Sequence, residues 1–147
     1  MLNGKKFLER TAAIIYDKSM TKILIFTYMN KDYWLLPGGR VDQMEDSLSA
    51  IKREIKEKLN IELNFKLIAV SENIVNKINT QSINFYYKAV LNSEINEEYI
   101  TPIENKKQIY KWIKINELDN YNLKPIKIKE IIQNVNSDEL THFIEID

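Results

Sequence analysis

Residues 39–61 read GRVDQMEDSLSAIKREIKEKLNI, and the spacing of residue types in this stretch decides what the chain can be. Leu48, Ile51, Ile55 and Leu59 recur at three- and four-residue steps, which predicts an amphipathic helix over Ser47–Leu59. Asp46 or Ser47 can cap its start. Asn60 stands where a left-handed cap is wanted. Glu54 and Glu57 project from one side of such a helix, and the reading places that side opposite the apolar stripe, facing a cleft. Glu45, just ahead of the helix, adds a third carboxylate. Gathered carboxylates repel one another unless a cation joins them. Oxygen ligands select Mg²⁺ or Mn²⁺, which in turn bind phosphate oxygens. The turn Pro37-Gly38-Gly39 leads into this stretch, and its backbone can approach a metal or a phosphate because no Cβ obstructs it.

Working outward, Thr11–Tyr16 and Lys22–Tyr28 are β-rich runs joined by the polar turn DKSM, and read as a hairpin. Tyr33–Leu36 reads as a short strand stopped by the Pro-Gly-Gly turn. Residues 63–75 form a long extended stretch, and Ser82–Leu91 a strand. Residues 92–108 are polar and read as a surface loop. Tyr110–Ile115 alternates like a half-buried strand. Pro125 fits the first turn of a final helix reaching about Val135, and THFIEI near the end reads as a short extended tail. This mixture predicts one α/β domain over 1–147, an α/β/α sandwich built on a mixed β-sheet.

The 39–61 stretch resembles the signature of the Nudix hydrolases, MutT-like enzymes. That signature is G, five residues, E, seven residues, then R-E-U-x-E-E-x-G-U, with U aliphatic. Gly39, Glu45, Arg53, Glu54, Ile55, Glu57 and Ile61 supply seven of the nine fixed positions in register. The approach W-x-L-P-G-G at Trp34–Gly39 and the late W-I-x-I-x-E-L segment at Trp112–Leu118 are similar to the family as well. The resemblance implies metal-dependent hydrolysis of a pyrophosphate bond in a nucleoside diphosphate linked to another moiety. It implies that Glu54 and Glu57 bind Mg²⁺ (or Mn²⁺), with Gly39 or the Gly38 carbonyl beside the ion. One carboxylate of the cluster would activate a water. Arg53 would hold Glu45 in an ion pair and orient the helix.

Two fixed positions depart from the pattern. Asn60 replaces Gly, a near-neutral change at a left-handed cap. Lys58 replaces the second Glu of the pair, commonly a metal ligand in the family, and changes the local charge by two units. Lys58 could swing away, leaving fewer metals bound. It could touch the substrate phosphates and stand in for one metal's charge. Or the site could bind nucleotide without turnover, as a sensing domain. Gln81-Ser82 stands where related sequences often carry His-Glu, so Glu72 and Glu104 are the candidates for an extra acid.

The remaining composition bounds the function. The 21 basic and 21 acidic residues balance, which disfavours general nucleic-acid binding. There is no cysteine, so neither a disulfide framework nor a thiolate metal site is possible. No apolar run approaches the roughly 18–20 residues of a membrane span, and MLNGKKFLER lacks a signal-peptide core. A cytoplasmic monomer or homodimer acting on a small-molecule nucleotide is the expectation. Eighteen lysines accompany only three arginines. Arginine grips phosphate or carboxylate with a planar fork that lysine lacks. Arg10 and Arg40 are therefore candidate substrate-binding residues, with Lys58 and Tyr28. Tyr28, Tyr33 and Trp34 could stack on a base. Phe85, Tyr86 and Tyr87 should alternate between core and cleft. His142 has no ligand partner in the sequence and is assigned no role. The seven lysines of Lys106–Lys129 are interleaved with acids and apolar residues, and read as a solvated face rather than an RNA patch.

Overall fold

A computed structural model describes residues 4–95, 97–100, 102–103 and 107–147. Its strands are β1 (Lys6–Tyr16), β2 (Lys22–Tyr28), β3 (Gly38–Arg40), β4 (Lys66–Val75), β5 (Thr80–Val90), β6 (Tyr99–Ile100), β7 (Gln108–Lys114) and β8 (Thr141–Ile146). Its α-helices are α1 (Ser47–Leu59) and α2 (Ile128–Gln133). All eight strands join one mixed sheet in the order β6-β7-β2-β1-β5-β4-β8, with β3 paired to β1.

β1 is the hub. It runs parallel to β5 from Lys6↔Thr80 to Tyr16↔Val90 and antiparallel to β3 through Arg10↔Arg40. Its predicted hairpin with β2 closes only at the base, where Tyr16 faces Ile23. Asp17 secures that turn, its Oδ1 accepting from the amides of Thr21 and Lys22. Beyond it the two strands separate, and β2 pairs instead with β7 along its whole length. β1 and β2 therefore diverge, and β3 pairs with β1 while the segment before it bridges β2 at Phe26↔Leu35.

One apolar core lies on each face of the sheet. Ile51, Ile55 and Leu59 of α1 bury against Ala13, Ile15, Leu24, Phe26, Tyr87 and Trp112. On the other face, Ile128 and Ile132 of α2 and Leu118 bury against Ile14, Tyr16, Ile23, Ile25 and Ile113. Alternate residues of β1 and β2 feed opposite cores, as strand pleating demands. The α/β/α sandwich with a mixed sheet is thus observed. No helix among the described residues is long and apolar enough to cross a membrane.

α1 matches its expected bounds. Asp46 is the N-cap and accepts from the Ser49 amide at 2.7 Å. Ser47 instead shares a hydrogen bond with the Tyr87 hydroxyl. Asn60 ends the helix in the left-handed region, at φ 55° and ψ 41°.

Four expectations need correction. Tyr33–Leu36 makes only two isolated bridges, Trp34↔Leu123 and Phe26↔Leu35, because divergent neighbours leave no edge long enough to pair with. The 92–108 segment contains β6, held antiparallel to β7. Pro125 stands outside α2. The chain there closes by tight three-residue bonds, Ile128 to the Pro125 carbonyl and Lys129 to that of Ile126, and Asn134 leaves helical dihedrals before Val135. THFIEI is a sheet strand, parallel to β4 from Ala69↔Thr141 to Ile74↔Ile146.

Candidate active site

Gly38 and Gly39 are in β3, hard against β1 and α1. A Cβ at Gly38 would collide with the Thr11 backbone, and one at Gly39 would come within 2.5 Å of the Glu54 carboxyl. Both positions admit glycine because other groups already fill the space a side chain needs. The glycine corner thus presses directly on the carboxylate predicted beside it.

Arg53 gathers the acids. Its Nε donates to Glu45 Oε2 at 2.8 Å and its Nη2 to Glu45 Oε1 at 3.0 Å. Nη1 donates to Glu54 Oε1 at 3.1 Å and lies 3.5 Å from Glu57. Nη2 also donates to the Arg40 carbonyl at 3.1 Å. The guanidinium holds the Glu45 carboxyl below the usual carboxylate range, and the acids in turn raise the arginine's own pKa. Glu45, Glu54 and Glu57 therefore converge on one cation, and that cation is Arg53. Among the described residues, no group of three or more His, Asp or Glu is arranged to hold a metal ion.

The two helix glutamates differ in setting. Glu54 is buried, and its neighbours on α1 include Ile51 and Ile55. The expectation that both would lie opposite the apolar stripe is corrected. At about 100° per residue, Glu54 stands only about 60° round from Ile51, and Glu57 about 120°. Glu54 lies on the flank of the buried face, while Glu57 is half exposed.

Lys58 does not swing away. Its Nζ lies 2.8 Å from Glu54 Oε2 and donates to the Gly38 carbonyl. Its side chain is well covered.

A cleft of about 970 Å³ opens beside this corner. Arg10, Arg40, Tyr28, Gly38, Gly39 and Lys58 all line it, whereas Glu45, Arg53, Glu54 and Glu57 are not among its lining residues. Arg10 and Arg40 are register partners on β1 and β3, so their side chains leave the same face. Tyr28 reaches the cleft, and its hydroxyl accepts from Gln108. Tyr33 and Trp34 do not line it. Lys124 lies over the Tyr33 ring, and Trp34 meets Tyr121 edge to face. Tyr86 lines the cleft, while Phe85 and Tyr87 join the α1 core, as alternation predicts. Burial pushes the Tyr86 hydroxyl up to about 12.

Glu72 does not supply the extra acid. Pleating turns Ser71 and Asn73 into the cleft and Glu72 to the opposite face, where it pairs with His142 at 2.8 Å. Glu104 lies outside the described residues.

Residues the sequence reading passed over form the opposite wall. Asn84 donates to both Ser71 and Ser82, at 3.2 and 3.1 Å, on the cleft face of β4 and β5. Glu145, brought alongside Asn73 by β8, lines the cleft too. The period-two pattern Ser82, Asn84, Tyr86 was the available signal, and it acquires meaning only once β4 and β8 are known neighbours.

The NUDIX domain family model matches residues 7–135. Among solved structures, the chain is similar to the MutT protein from Bacillus halodurans, with TM-score 0.70 and 22% identity over 92% of this chain and 89% of that one. It is similar to the dihydroneopterin triphosphate pyrophosphohydrolase of E. coli, with TM-score 0.68 and 18% identity over 88% of this chain and 96% of that one. At these identities the likeness is one of fold. A 59-residue stretch is 29% identical to the mRNA-decapping enzyme subunit 2 of Saccharomyces cerevisiae, covering 40% of this chain and only 6% of that protein.

Proposed function

Since the chain belongs to the Nudix family, we propose that it hydrolyses the pyrophosphate bond of a nucleoside diphosphate linked to a further group. Family membership supports pyrophosphate hydrolysis in general terms, and the cleft supports the proposed class of substrate. The observation that carries the reading is the position of the acid cluster. Arg53 ties Glu45, Glu54 and Glu57 together against the Gly38-Gly39 corner, at one side of a cleft lined by Arg10 and Arg40. Two guanidiniums suit the oxygens of linked phosphates. The wall of Ser71, Ser82 and Asn84 can hydrogen-bond a polar base or sugar.

The groups near the corner that could ligate a cation are all oxygens: the Glu57 carboxylate, which is half exposed, and the Glu54 carboxylate and Gly38 carbonyl, which Lys58 contacts. Their chemistry fits Mg²⁺ or Mn²⁺. Bound there, such an ion would supply neutralisation of diphosphate charge and acidification of water. The chain's own contribution is positional. Arg10 and Arg40 would hold the phosphates. Glu57, the more exposed of the two helix acids, would accept a proton from the attacking water. Water adds to one phosphorus, the bridging P–O bond breaks, and the departing phosphate keeps the electron pair.

The test is a panel of nucleotide diphosphate derivatives assayed with Mg²⁺ and with Mn²⁺, beside Glu54→Gln and Glu57→Gln. We expect metal-dependent release of a mononucleotide or phosphate that both substitutions abolish. Metal-dependent turnover surviving both would refute the assignment.

A second reading is favoured by Lys58, which already sits on Glu54. It is a nucleotide-binding domain without turnover. It predicts binding indifferent to added metal and no product from any member of the panel.

A further inference from the structure

We propose that Lys58 is a tethered cation filling the notch between the Glu54 carboxylate and the Gly38 carbonyl, so that a divalent ion gains those two oxygens only by displacing the chain's own ammonium. The inference rests on reading the Glu54–Glu57 corner as a cation site.

Geometry is the first support. A lysine ammonium has three N–H donors and no acceptor. One meets Glu54 Oε2 at 2.8 Å and a second meets the Gly38 carbonyl. Lys58 is also the α1 side chain that lines the cleft, which leaves its third donor for an anionic oxygen there. Its contacts are those of a small hard cation held between a carboxylate and a backbone carbonyl.

Saturation of Glu54 is the second. Arg53 takes Oε1 and Lys58 takes Oε2. The carboxyl fills the space that a side chain at position 39 would need, so it is held on that side by the Gly39 backbone and on the others by the two cations. The Glu54 and Lys58 side chains are 12% and 19% exposed, and poor access to water strengthens such a pair.

Charge is the third. Four carboxylates, Asp42, Glu45, Glu54 and Glu57, here face two cations, Arg53 and Lys58. A carboxylate at position 58 would leave five facing one. Lysine there halves the net negative charge of the corner, and a divalent ion is attracted less than it would be to the fully acidic cluster. Glu57 is the α1 carboxylate of the cluster that stays open, its side chain 47% exposed and its ionic contact with Arg53 a loose 3.5 Å. An ion bound beside Lys58 would therefore rest on Glu57, and the chain would hold fewer ions than a cluster with a carboxylate at position 58.

Mn²⁺ titration of the full chain, followed by the electron paramagnetic resonance of the free ion and without nucleotide, tests this. We expect Lys58→Gln to tighten Mn²⁺ binding at least tenfold, about 1.4 kcal/mol. We expect Lys58→Glu to add a further equivalent of bound ion. Unchanged affinity and stoichiometry in both variants, with wild-type circular dichroism, would overturn the proposal. So would tight Mn²⁺ binding by the wild-type chain that Glu54→Gln abolishes, a result needing no change at Lys58. The outcome separates from that of the hydrolase reading. A panel with no turnover but a gain of Mn²⁺ in Lys58→Glu keeps the tethered cation and removes the hydrolase. Turnover with no such gain does the reverse.

Discussion

Arg53 holds Glu45 in a two-pronged grip across eight residues of chain, with donors at 2.8 and 3.0 Å. The same guanidinium reaches Glu54, Glu57 and the Arg40 carbonyl. One side chain thus fastens the loop ahead of α1 to the helix and to the end of β3. Replacing Arg53 by Ala should lower turnover by about a hundredfold or more, the usual cost of misplacing reacting groups by an ångström. Lysine should rescue little, since an ammonium cannot reproduce the fork. The hydrolysis assay, beside a thermal melt, checks both.

Acid should loosen this junction. The Arg53 guanidinium depresses the Glu45 carboxyl, and the Ser49 backbone amide depresses that of Asp46. A depressed carboxylate favours the folded state above its unfolded pKa. That contribution is fully present at neutral pH and is lost as pH falls below about 4 through the folded values. Melting temperature measured from pH 7 down to pH 3 should fall steeply at the acid end. Glu45→Gln and Asp46→Asn should each flatten the curve.

Gly39→Ala places a methyl against the Glu54 carboxyl, where a Cβ would approach to 2.5 Å. The carboxylate is fixed by Arg53 and Lys58, so the strain must appear in the backbone or in those ion pairs. A stability loss of about 1–3 kcal/mol is expected, as for other overpacked sites, with a fall in turnover. Denaturant titration and the hydrolysis assay measure the two effects.

Asn60 adopts φ 55° at the end of α1. Asn60→Gly should leave stability within about 0.5 kcal/mol of wild type. Asn60→Ala should cost about 1–2 kcal/mol, the penalty of a Cβ in the left-handed region. Urea unfolding distinguishes the two. A large loss in the glycine variant would show that the asparagine side chain matters beyond its dihedrals.

Asn84→Ala removes the amide that links Ser71 and Ser82 on the cleft wall. KM for a nucleotide substrate should rise about tenfold with little change in kcat, the pattern of lost ground-state binding. An effect confined to kcat would place Asn84 elsewhere in the reaction.

Local chemistry made much of this legible. α1 and the left-handed Asn60 follow from spacing and capping rules alone, and those rules narrowed the N-cap to Asp46 or Ser47, of which Asp46 takes the role. Arg10, Arg40 and Tyr28 could be singled out because rare arginines and flanking aromatics stand out in a lysine-rich chain, and all three reach the cleft. What failed was non-local. Helix periodicity groups Glu54 with Glu57, but only contact with Gly39 and Lys58 shows that the first is buried and spoken for. Glu72 looked as suitable as any acid until pleating turned it from the cleft. Ser71, Asn84 and Glu145 belong to three strands whose adjacency no short window of sequence contains.

The central strand carries a kinetic consequence. β1 finds its long parallel partner only 74 residues later, at Thr80–Val90, and the wall beyond it waits for β8. Local helix formation is fast, whereas pairings of such high contact order must first meet the entropy of closing a large loop. During synthesis α1 can form early with its acids already on it. The cleft wall beyond β5 is completed only once β8 has emerged and paired with β4.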